Sequence, residues 1–386
     1  MAKSSILKVH EHCKVSPPPN SAPPTTLPLT FLDITWLFFS PSQPLFFYEY
    51  LHSTSHFLCS TLPNLKHFFT FLGNLVLSPN DSNKPKIVYN AGDCVSFSVA
   101  ESSGDFGHLT SNHAREVHEF YFLVPETFNN FIKAWASPGA NSCFLINSLP
   151  CFDRPVIKDA RGLEEIFLKE LWKRRSSQEM VVGTEAHVDL SNMVRATFVV
   201  SSLDMETIKK WIIMKAQTPM GRFENYDSDE DLNYFGFIAG GLTRLDPVPI
   251  SYFGNCVGFD RSIAIRRELR GEDGMIVAAN MIGNMIKKLD KEILSGAERW
   301  ISDWKILFEL EIHILIFGSP KINLYETDFG WGRPKKIEDI TIDNSRAVSL
   351  TERRETKGGI EVGLAPPKSE MEVFSSLFIE GLKILQ

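Results

Sequence analysis

The segment Tyr325–Lys336, YETDFGWGRPKK, constrains the fold of this chain more than any other. It combines a carboxylate, two aromatic side chains and two glycines at fixed spacing, and it follows an apolar segment, Phe308–Phe317, that is predicted to be a core strand. Glycine permits positive φ and close backbone approach, while Phe329 and Trp331 can fasten a turn to a core. The pattern therefore predicts a tight turn, anchored by aromatic residues, after a buried strand.

The tripeptide Asp-Phe-Gly at Asp328–Gly330 also occurs at Asp105–Gly107 and is typical of protein kinases. A kinase is excluded because the sequence has neither a His-Arg-Asp catalytic loop nor a glycine-rich phosphate loop with a strand lysine.

Composition narrows the class of protein. A chain of 386 residues is long enough for two ordinary domains or one large one. The net charge of -7 gives no general attraction to nucleic acid, and no basic patch stands out. The six cysteines include no Cys-x-x-Cys pair, and the acidic run Asp227–Asp231 is typical of a solvated loop, so we expect no metal.

No segment is predicted to span a membrane or to act as a signal peptide. The longest later apolar stretch, Ile306–Gly318, is interrupted by Glu309, Glu311 and His313. We therefore expect a cytoplasmic protein without membrane partners.

Strand and helix patterns alternate along the chain, which predicts an α/β fold. Aromatic and β-branched content predicts strand or edge structure for Leu27–Phe39. The charged stretch Lys173–Glu185 marks the predicted break between two halves. The other predicted elements are strands at Lys86–Tyr89, Val95–Val99 and Ala186–Ser202, and helices at Gly162–Arg175, at Met205–Met214 after an N-cap at Asp204, at Gly274–Leu294 and at Glu370–Leu385 after an N-cap at Ser369.

Beyond the tripeptide, Asp328–Gly332 (DFGWG) resembles a signature motif of the BAHD family, plant acyltransferases that use acyl-CoA donors. Further segments resemble the same family in the same order: Leu29–Tyr48, Gly104–Val117, Arg244–Pro247 (RLDP), Tyr252–Cys256 (YFGNC) and Gly358–Leu364 (GGIEVGL). The residues Tyr252, Phe253, Gly254, Asn255 and Cys256 are similar to the subgroup that acylates sugar hydroxyls of anthocyanins and other phenolic glucosides, often with malonyl-CoA.

The resemblance implies two chloramphenicol-acetyltransferase-like domains, with mixed sheets flanked by helices and a channel between them. We expect the N-terminal domain at residues 1–180, in truncated form, and the C-terminal domain at residues 186–386. The resemblance further implies a monomer with acyl-CoA as co-substrate, a phenolic glycoside as acceptor and no separate cofactor. A histidine in a His-x-x-x-Asp motif would be the general base that deprotonates the acceptor hydroxyl.

That histidine motif is absent. None of the ten histidines is followed by aspartate four positions later. By the family's order the motif belongs near Glu126 and Thr127, and further losses are predicted near Lys215–Asp231 and within Pro63–Gly73. Three explanations stay open: a coding sequence assembled without some of its segments, a degraded gene copy, and a folded relative that binds CoA esters or phenolic glycosides without catalysis.

Several other side chains are candidates for catalysis or CoA binding. His187, with Asp189 two positions on, and His108 and His113 in a polar stretch are each predicted to be ordinary histidines. Asp328 is either a second acid/base or, as we expect, part of a buried structural ion pair with Arg244. Lys335 and Lys336 either meet CoA phosphates or face solvent.

Overall fold

The structure is a computed structural model that describes residues 7–39, 42–49, 67–77, 84–124, 150–177, 190–216, 232–245, 247–309, 313–328 and 331–385. No helix within these ranges is long and apolar enough to cross a membrane. The predicted losses at Glu126–Thr127 and in most of Lys215–Asp231, as well as His187, Phe329 and Gly330, lie outside the described residues.

The described chain contains strands and helices in a mixed order, as predicted. The strands are β1 Leu7–Val15, β2 Thr25–Pro28, β3 Pro44–Phe47, β4 Asn74–Val76, β5 Lys86–Tyr89, β6 Val95–Ser102, β7 Arg115–Glu116, β8 Val194–Val200, β9 Leu232–Gly240, β10 Val257–Ile265, β11 His313–Gly318, β12 Lys336–Asp339, β13 Ala347–Glu352 and β14 Ile360–Leu364. The α-helices are α1 Phe31–Ile34, α2 Phe106–Leu109, α3 His118–Tyr121, α4 Leu163–Ser177, α5 Ser202–Ala216, α6 Arg266–Arg270, α7 Gly274–Lys291, α8 Trp300–Glu309 and α9 Lys368–Leu385.

A seven-stranded mixed sheet forms the centre, in the order β10-β9-β11-β13-β14-β8-β7. Strand β11 runs parallel to both β9 and β13, and the other neighbours pair antiparallel. The edge strand β7 comes from the N-terminal half, since Arg115 pairs with Arg195 of β8. The sheet therefore contains chain from both predicted halves, and the division at residues 180–186 stays a prediction.

Smaller sheets surround this centre. Strands β2, β5 and β4 form a three-stranded antiparallel sheet, and β1 pairs with β6. The two-stranded sheet of β3 and β12 joins chain segments from opposite halves, with Lys336 opposite Phe47. Strand β12 begins four residues after the DFGWG motif, so its pairing with β3 fixes the position of the motif.

The segment Leu27–Phe39 is mostly helical, so the strand prediction is wrong for most of it. Helix α1 begins after Thr30, whose Oγ1 accepts a hydrogen bond from the backbone N–H of Asp33, while Asp33 Oδ2 accepts one from the backbone N–H of Thr30. This capping box satisfies donors at the helix start and favours a helical turn over the aromatic strand propensity. Aromatic side chains then enter the core, where the rings of Trp36 and Trp304 lie 5.8 Å apart.

Three predicted boundaries also move. Phe308 belongs to α8, and the strand begins only at His313. The N-cap of α5 is Ser201, not Asp204, and the helix begins at Ser202. Ser201 Oγ accepts a hydrogen bond from the backbone N–H of Asp204, and Asp204 accepts one in return, which makes a capping box. Helix α9 begins at Lys368, directly after Pro367, which makes the proposed N-cap at Ser369 wrong.

Candidate functional site

The DFGWG loop is closed by its own aspartate. Asp328 Oδ1 accepts hydrogen bonds from the backbone N–H groups of Trp331 and Gly332, each at 2.9 Å. Gly332 has a φ of +80°, a conformation that L side chains rarely adopt, so glycine is required there. The motif thus encodes a local turn, as the sequence predicts.

Aromatic contacts attach this turn to the N-terminal half. The ring of Trp331 meets that of Tyr48 edge-on, with centroids 5.5 Å apart. The Tyr48 hydroxyl donates to the carbonyl of Thr327 at 2.9 Å. Burial, with the nearby Asp328 carboxylate adding to it, raises the pKa of Tyr48 well above its ordinary value, so this hydroxyl remains a donor.

The predicted buried pair between Asp328 and Arg244 is wrong. Asp328 is exposed. The guanidinium of Arg244 binds Asp290 of α7 at 2.6 Å and donates to the Gly240 carbonyl. The carboxylate of Asp328 turns back onto its own loop, while Asp290 lies within reach of Arg244. Whether Asp328 also acts as an acid or base stays a prediction.

The strand that follows the loop carries a buried ionic network. Glu338 of β12 is held by two arginines, since Arg115 Nη2 donates to its Oε1 at 2.8 Å and Arg195 Nη2 lies 3.1 Å from its Oε2. Both guanidinium groups also lie on the ring of Phe120, at 5.1 and 4.7 Å. Burial alone would raise the pKa of Glu338, but Arg195, Arg115 and Lys336 outweigh it and hold that pKa below the ordinary value.

Asp343 completes this network and has a different protonation behaviour. Its Oδ2 lies 3.2 Å from Arg195 Nη1, and its Oδ1 is buried without a hydrogen-bond partner in the described part of the chain. Burial, with the neighbouring Glu338 and Asp339 adding to it, raises the pKa of Asp343 to about 7, although Arg195 and Arg115 act to lower it. This carboxyl therefore gains and loses its proton near neutral pH.

The two lysines after the motif have different environments. Lys335 is partly exposed, and its Nζ lies 3.0 Å from Glu49 Oε1. Lys336 is only 3% exposed, and its Nζ donates to Asn112 Oδ1 at 2.8 Å and to Glu361 Oε2 at 2.9 Å. The prediction that both face solvent is wrong for Lys336, and the predicted contact with CoA phosphates stays a prediction.

The Tyr252–Cys256 segment is a buried contact between chain segments. The backbone N–H of Asn255 donates to Asp33 Oδ1 at 2.9 Å, and the Tyr252 hydroxyl accepts from Arg154 Nη1 at 2.7 Å. A Cβ on Gly254 would lie 2.1 Å from Arg154 Nη1 and 2.9 Å from the Tyr252 hydroxyl, so a larger residue there would displace the Arg154 side chain from this contact. Burial, with Asp33 adding to it, raises the pKa of the Cys256 thiol to about 12. A role of this segment in substrate choice stays a prediction.

Of the histidines singled out from the sequence, His113 is exposed and His108 is half-buried. His108 Nε2 is 2.9 Å from Glu119 Oε2, and His113 Nε2 is 3.3 Å from His108 Nδ1. The predicted ordinary roles of these two histidines are not tested by these contacts.

Sequence reasoning missed Arg115, Arg195, Glu338, Asp343 and Glu361. A buried charge is rare without a partner. One signal of a buried ion pair was available in the sequence, since the charged residue Arg195 lies within the apolar strand VRATFVV.

Comparison with known proteins identifies the family. A family profile described as "Transferase family" matches residues 224–380. The chain is 32% identical to the malonyl-coenzyme A:anthocyanin 3-O-glucoside-6''-O-malonyltransferase of Dahlia pinnata, over 98% of each chain. It is 29% identical to phenolic glucoside malonyltransferase 2 of Arabidopsis thaliana, over 97% of this chain and 99% of the relative. The fold is similar to that of vinorine synthase, with a TM-score of 0.60 and 17% identity, over 95% of this chain and 96% of that one.

These matches confirm the α/β acyltransferase fold that the motifs imply. The alignment with the Dahlia protein extends over 464 positions, 78 more than the 386 residues of this chain, so at least that many positions of the alignment have no residue here. By its motifs, its fold and its identity to the Dahlia protein over almost the whole chain, this chain belongs to the transferase family of BAHD acyltransferases.

Proposed function

We propose that this chain is an acyl-CoA-dependent O-acyltransferase that transfers a malonyl or related acyl group to a sugar hydroxyl of an anthocyanin, another flavonoid glucoside or a phenolic glucoside. The observation that carries the proposal is the 32% identity to an anthocyanin glucoside malonyltransferase over 98% of both chains. The Tyr252–Cys256 segment supports the same acceptor class by its resemblance to that subgroup.

The reaction requires one bond exchange. The acceptor oxygen forms a bond to the acyl carbon, the carbon–sulfur bond of the thioester breaks, and CoA leaves as a thiolate that takes up a proton. The family's general base is missing from the sequence, so the hydroxyl proton must pass to water or to the leaving thiolate. A positioned base contributes about 10²–10⁴-fold to such a step, and we expect turnover to be slower by that factor than in a relative that has the histidine.

The test is a transfer assay with the purified chain, malonyl-CoA and an anthocyanin 3-O-glucoside. Mass spectrometry of the acylated glucoside and titration of the released CoA thiol measure transfer independently. A reaction without acceptor is the control for thioester hydrolysis. Acceptor-dependent product at the reduced rate supports the proposal; thiol release that ignores the acceptor, or no product at all, overturns it.

The alternative is a non-catalytic protein or truncated gene product that at most binds CoA esters or phenolic glycosides. The observation that favours it is the absence of His-x-x-x-Asp from all ten histidines. Thermal shift with malonyl-CoA separates the two, because binding without turnover supports the alternative and turnover excludes it. A full-length transcript that encodes His-x-x-x-Asp between Glu126 and Thr127 would instead show that this coding sequence lacks a segment.

The proposal also covers the location, the oligomeric state and the domain division of the chain. We propose a cytoplasmic monomer with acyltransferase domains at residues 1–180 and 186–386 and no nucleic-acid partner. Its support is the acidic net charge of -7 and the resemblance of its motifs to the family.

A further inference from the structure

A cleft of about 330 Å³ lies beside the strand that follows the DFGWG loop. It lies between residues 110–112, the strands β8, β12 and β14 and the segment that follows β13, and we call it the lysine cleft. Its wall is formed by Thr110, Ser111, Asn112, Val199, Lys335, Lys336, Arg353, Glu355 and Glu361. This volume is near the lower end of the ~300–1,000 Å³ range of small-molecule sites, so the cleft fits a compact ligand.

The buried ammonium of Lys336 has a donor to spare. An ammonium group carries three N–H donors. Two of them bind Asn112 Oδ1 and Glu361 Oε2, and among the described residues no third acceptor contacts Nζ. Glu361 Oε2 also accepts from the Tyr325 hydroxyl at 3.0 Å, and the backbone carbonyl of Asn112 accepts from the Thr197 N–H at 3.1 Å. Both partners of Lys336 are therefore anchored, and they hold the ammonium at the cleft wall.

Arg353 supplies a second incompletely satisfied cation. Its Nε is buried, and in the described part of the chain it has no hydrogen-bond acceptor. Its ionic contact with Glu355 is 3.8 Å long, which is beyond hydrogen-bond distance. The exposed part of the same guanidinium lines the cleft, where it can donate to a ligand oxygen.

The charge of the wall selects the sign of the ligand. Three cationic side chains line the cleft against two carboxylates. One of the carboxylates, Glu361, is already neutralised by Lys336 at 2.9 Å, and the other, Glu355, is more than half exposed. Lys335 is in turn paired with Glu49 at 3.0 Å, so the positive charge left at the wall is that of Arg353, and it favours an anion.

The donors come from three separate segments. Asn112 Oδ1 faces Lys336, so its amide Nδ2 is left as a further donor, beside the ammonium of Lys336 and the guanidinium of Arg353. Charged donors of these kinds bind phosphate oxygens strongly. The hydroxyls of Thr110 and Ser111 donate to the carbonyls of Phe106 and His108, so they offer acceptors to a protonated phosphate oxygen.

We propose that the lysine cleft is a phosphate-binding site in which Lys336, Arg353 and Asn112 donate to the phosphate oxygens. The site does not depend on acyl transfer. The phosphate is either that of a separate small molecule or one of those that CoA carries.

The experiment measures binding of inorganic phosphate by isothermal titration calorimetry at constant ionic strength. We expect saturable binding to the wild type and a loss of about tenfold or more in Arg353→Gln, because a hydrogen bond to a charged group is removed. Arg299→Gln is the matched control, since Arg299 is 64% exposed and lies on a different surface. Arg353→Lys keeps the charge and should lose less affinity than Arg353→Gln.

Circular dichroism verifies that each variant is folded. If Arg353→Gln does not fold, the wild type alone still tests the site, because phosphate should raise its melting temperature above that in chloride at equal ionic strength. Absence of that shift, absence of saturable binding, or equal binding by Arg353→Gln and wild type each overturns the proposal. Displacement of phosphate by CoA identifies CoA as the source, whereas phosphate binding that CoA leaves unchanged identifies a separate ligand.

Discussion

Arg115 and Glu338 lie 223 positions apart in the chain, yet Nη2 of Arg115 donates to Oε1 of Glu338 at 2.8 Å, with both side chains buried. Arg195 of β8 holds the other oxygen of the same carboxylate at 3.1 Å. One carboxylate therefore ties the N-terminal edge strand, the central sheet and the strand after the DFGWG loop together.

We predict that Glu338→Gln is strongly destabilising. The amide keeps the shape but leaves the buried guanidinium of Arg115 without a counter-charge and that of Arg195 with Asp343 alone, which costs about 3–5 kcal/mol. Thermal or urea unfolding followed by circular dichroism measures the loss. Glu372→Gln, at an exposed position of α9, is the control and should change stability by less than about 0.5 kcal/mol. Equal stability of the two variants would contradict the proposed role of Glu338.

Asp343 should make stability depend on pH near neutrality. Its pKa is about 7 in the folded protein against 3.8 in the unfolded chain, so between these values the folded state retains a proton that the unfolded state has released. The stabilisation from Asp343 is complete below pH 3.8 and is lost as the pH rises through 7, with a slope approaching ~1.4 kcal/mol per pH unit.

Asp343→Asn should remove this component. Unfolding free energies of wild type and Asp343→Asn are measured from pH 4.5 to pH 8. The wild-type value minus the variant value should fall as the pH rises, because only the wild type loses the contribution of Asp343. Asp273→Asn, at an exposed position without a side-chain capping bond, should keep the wild-type pH profile. A parallel profile for Asp343→Asn and wild type would mean that Asp343 does not titrate in this range.

Substitution of Asp328 should have a small effect on stability. Its side chain is exposed and accepts two backbone hydrogen bonds within its own turn, so Asp328→Ala should cost about 1–2 kcal/mol rather than the ~3–5 kcal/mol of a broken buried pair. Asp328→Asn retains an acceptor oxygen and should cost less. Differential scanning calorimetry of both variants is the measurement, and a loss from Asp328→Ala as large as that from Glu338→Gln would contradict the turn role.

The two capping boxes should respond differently to removal of their aspartates. Asp33 is buried and also accepts the Asn255 backbone N–H at 2.9 Å, whereas the Asp204 box lies at the more exposed start of α5. Asp204→Ala should cost about 1 kcal/mol as a lost cap. Asp33→Ala should cost about 3 kcal/mol or more, because it also leaves the buried Asn255 N–H without its acceptor and the buried Arg154 without the carboxylate 3.7 Å away. Equal unfolding free energies of the two variants would show that the Asn255 contact is unimportant.

Local features were readable from the sequence because each depends on neighbouring residues. The strand Lys86–Tyr89 is found where it was predicted, directly before the turn sequence Asn-Ala-Gly, and helix α4 buries Leu163, Phe167 and Leu171 as its spacing predicts. The segment Leu27–Phe39 was misread because aromatic propensity was weighed without the Thr30–Asp33 capping box. The predicted pair of Arg244 with Asp328 was wrong because the carboxylate that lies nearest to an arginine is set by the folded structure, and here it is Asp290.

The family, the mixed α/β fold and the absence of the His-x-x-x-Asp motif follow from the residues alone, since the identity and order of residues within short segments carry them. The folded structure was needed to show that Arg115 contacts Glu338, that Arg244 contacts Asp290, and that Asn112, Lys336 and Arg353 line one cleft. The reason is physical: a charged side chain can pair with any opposite charge within a few ångströms, and the register of strands far apart in the chain selects which charge that is.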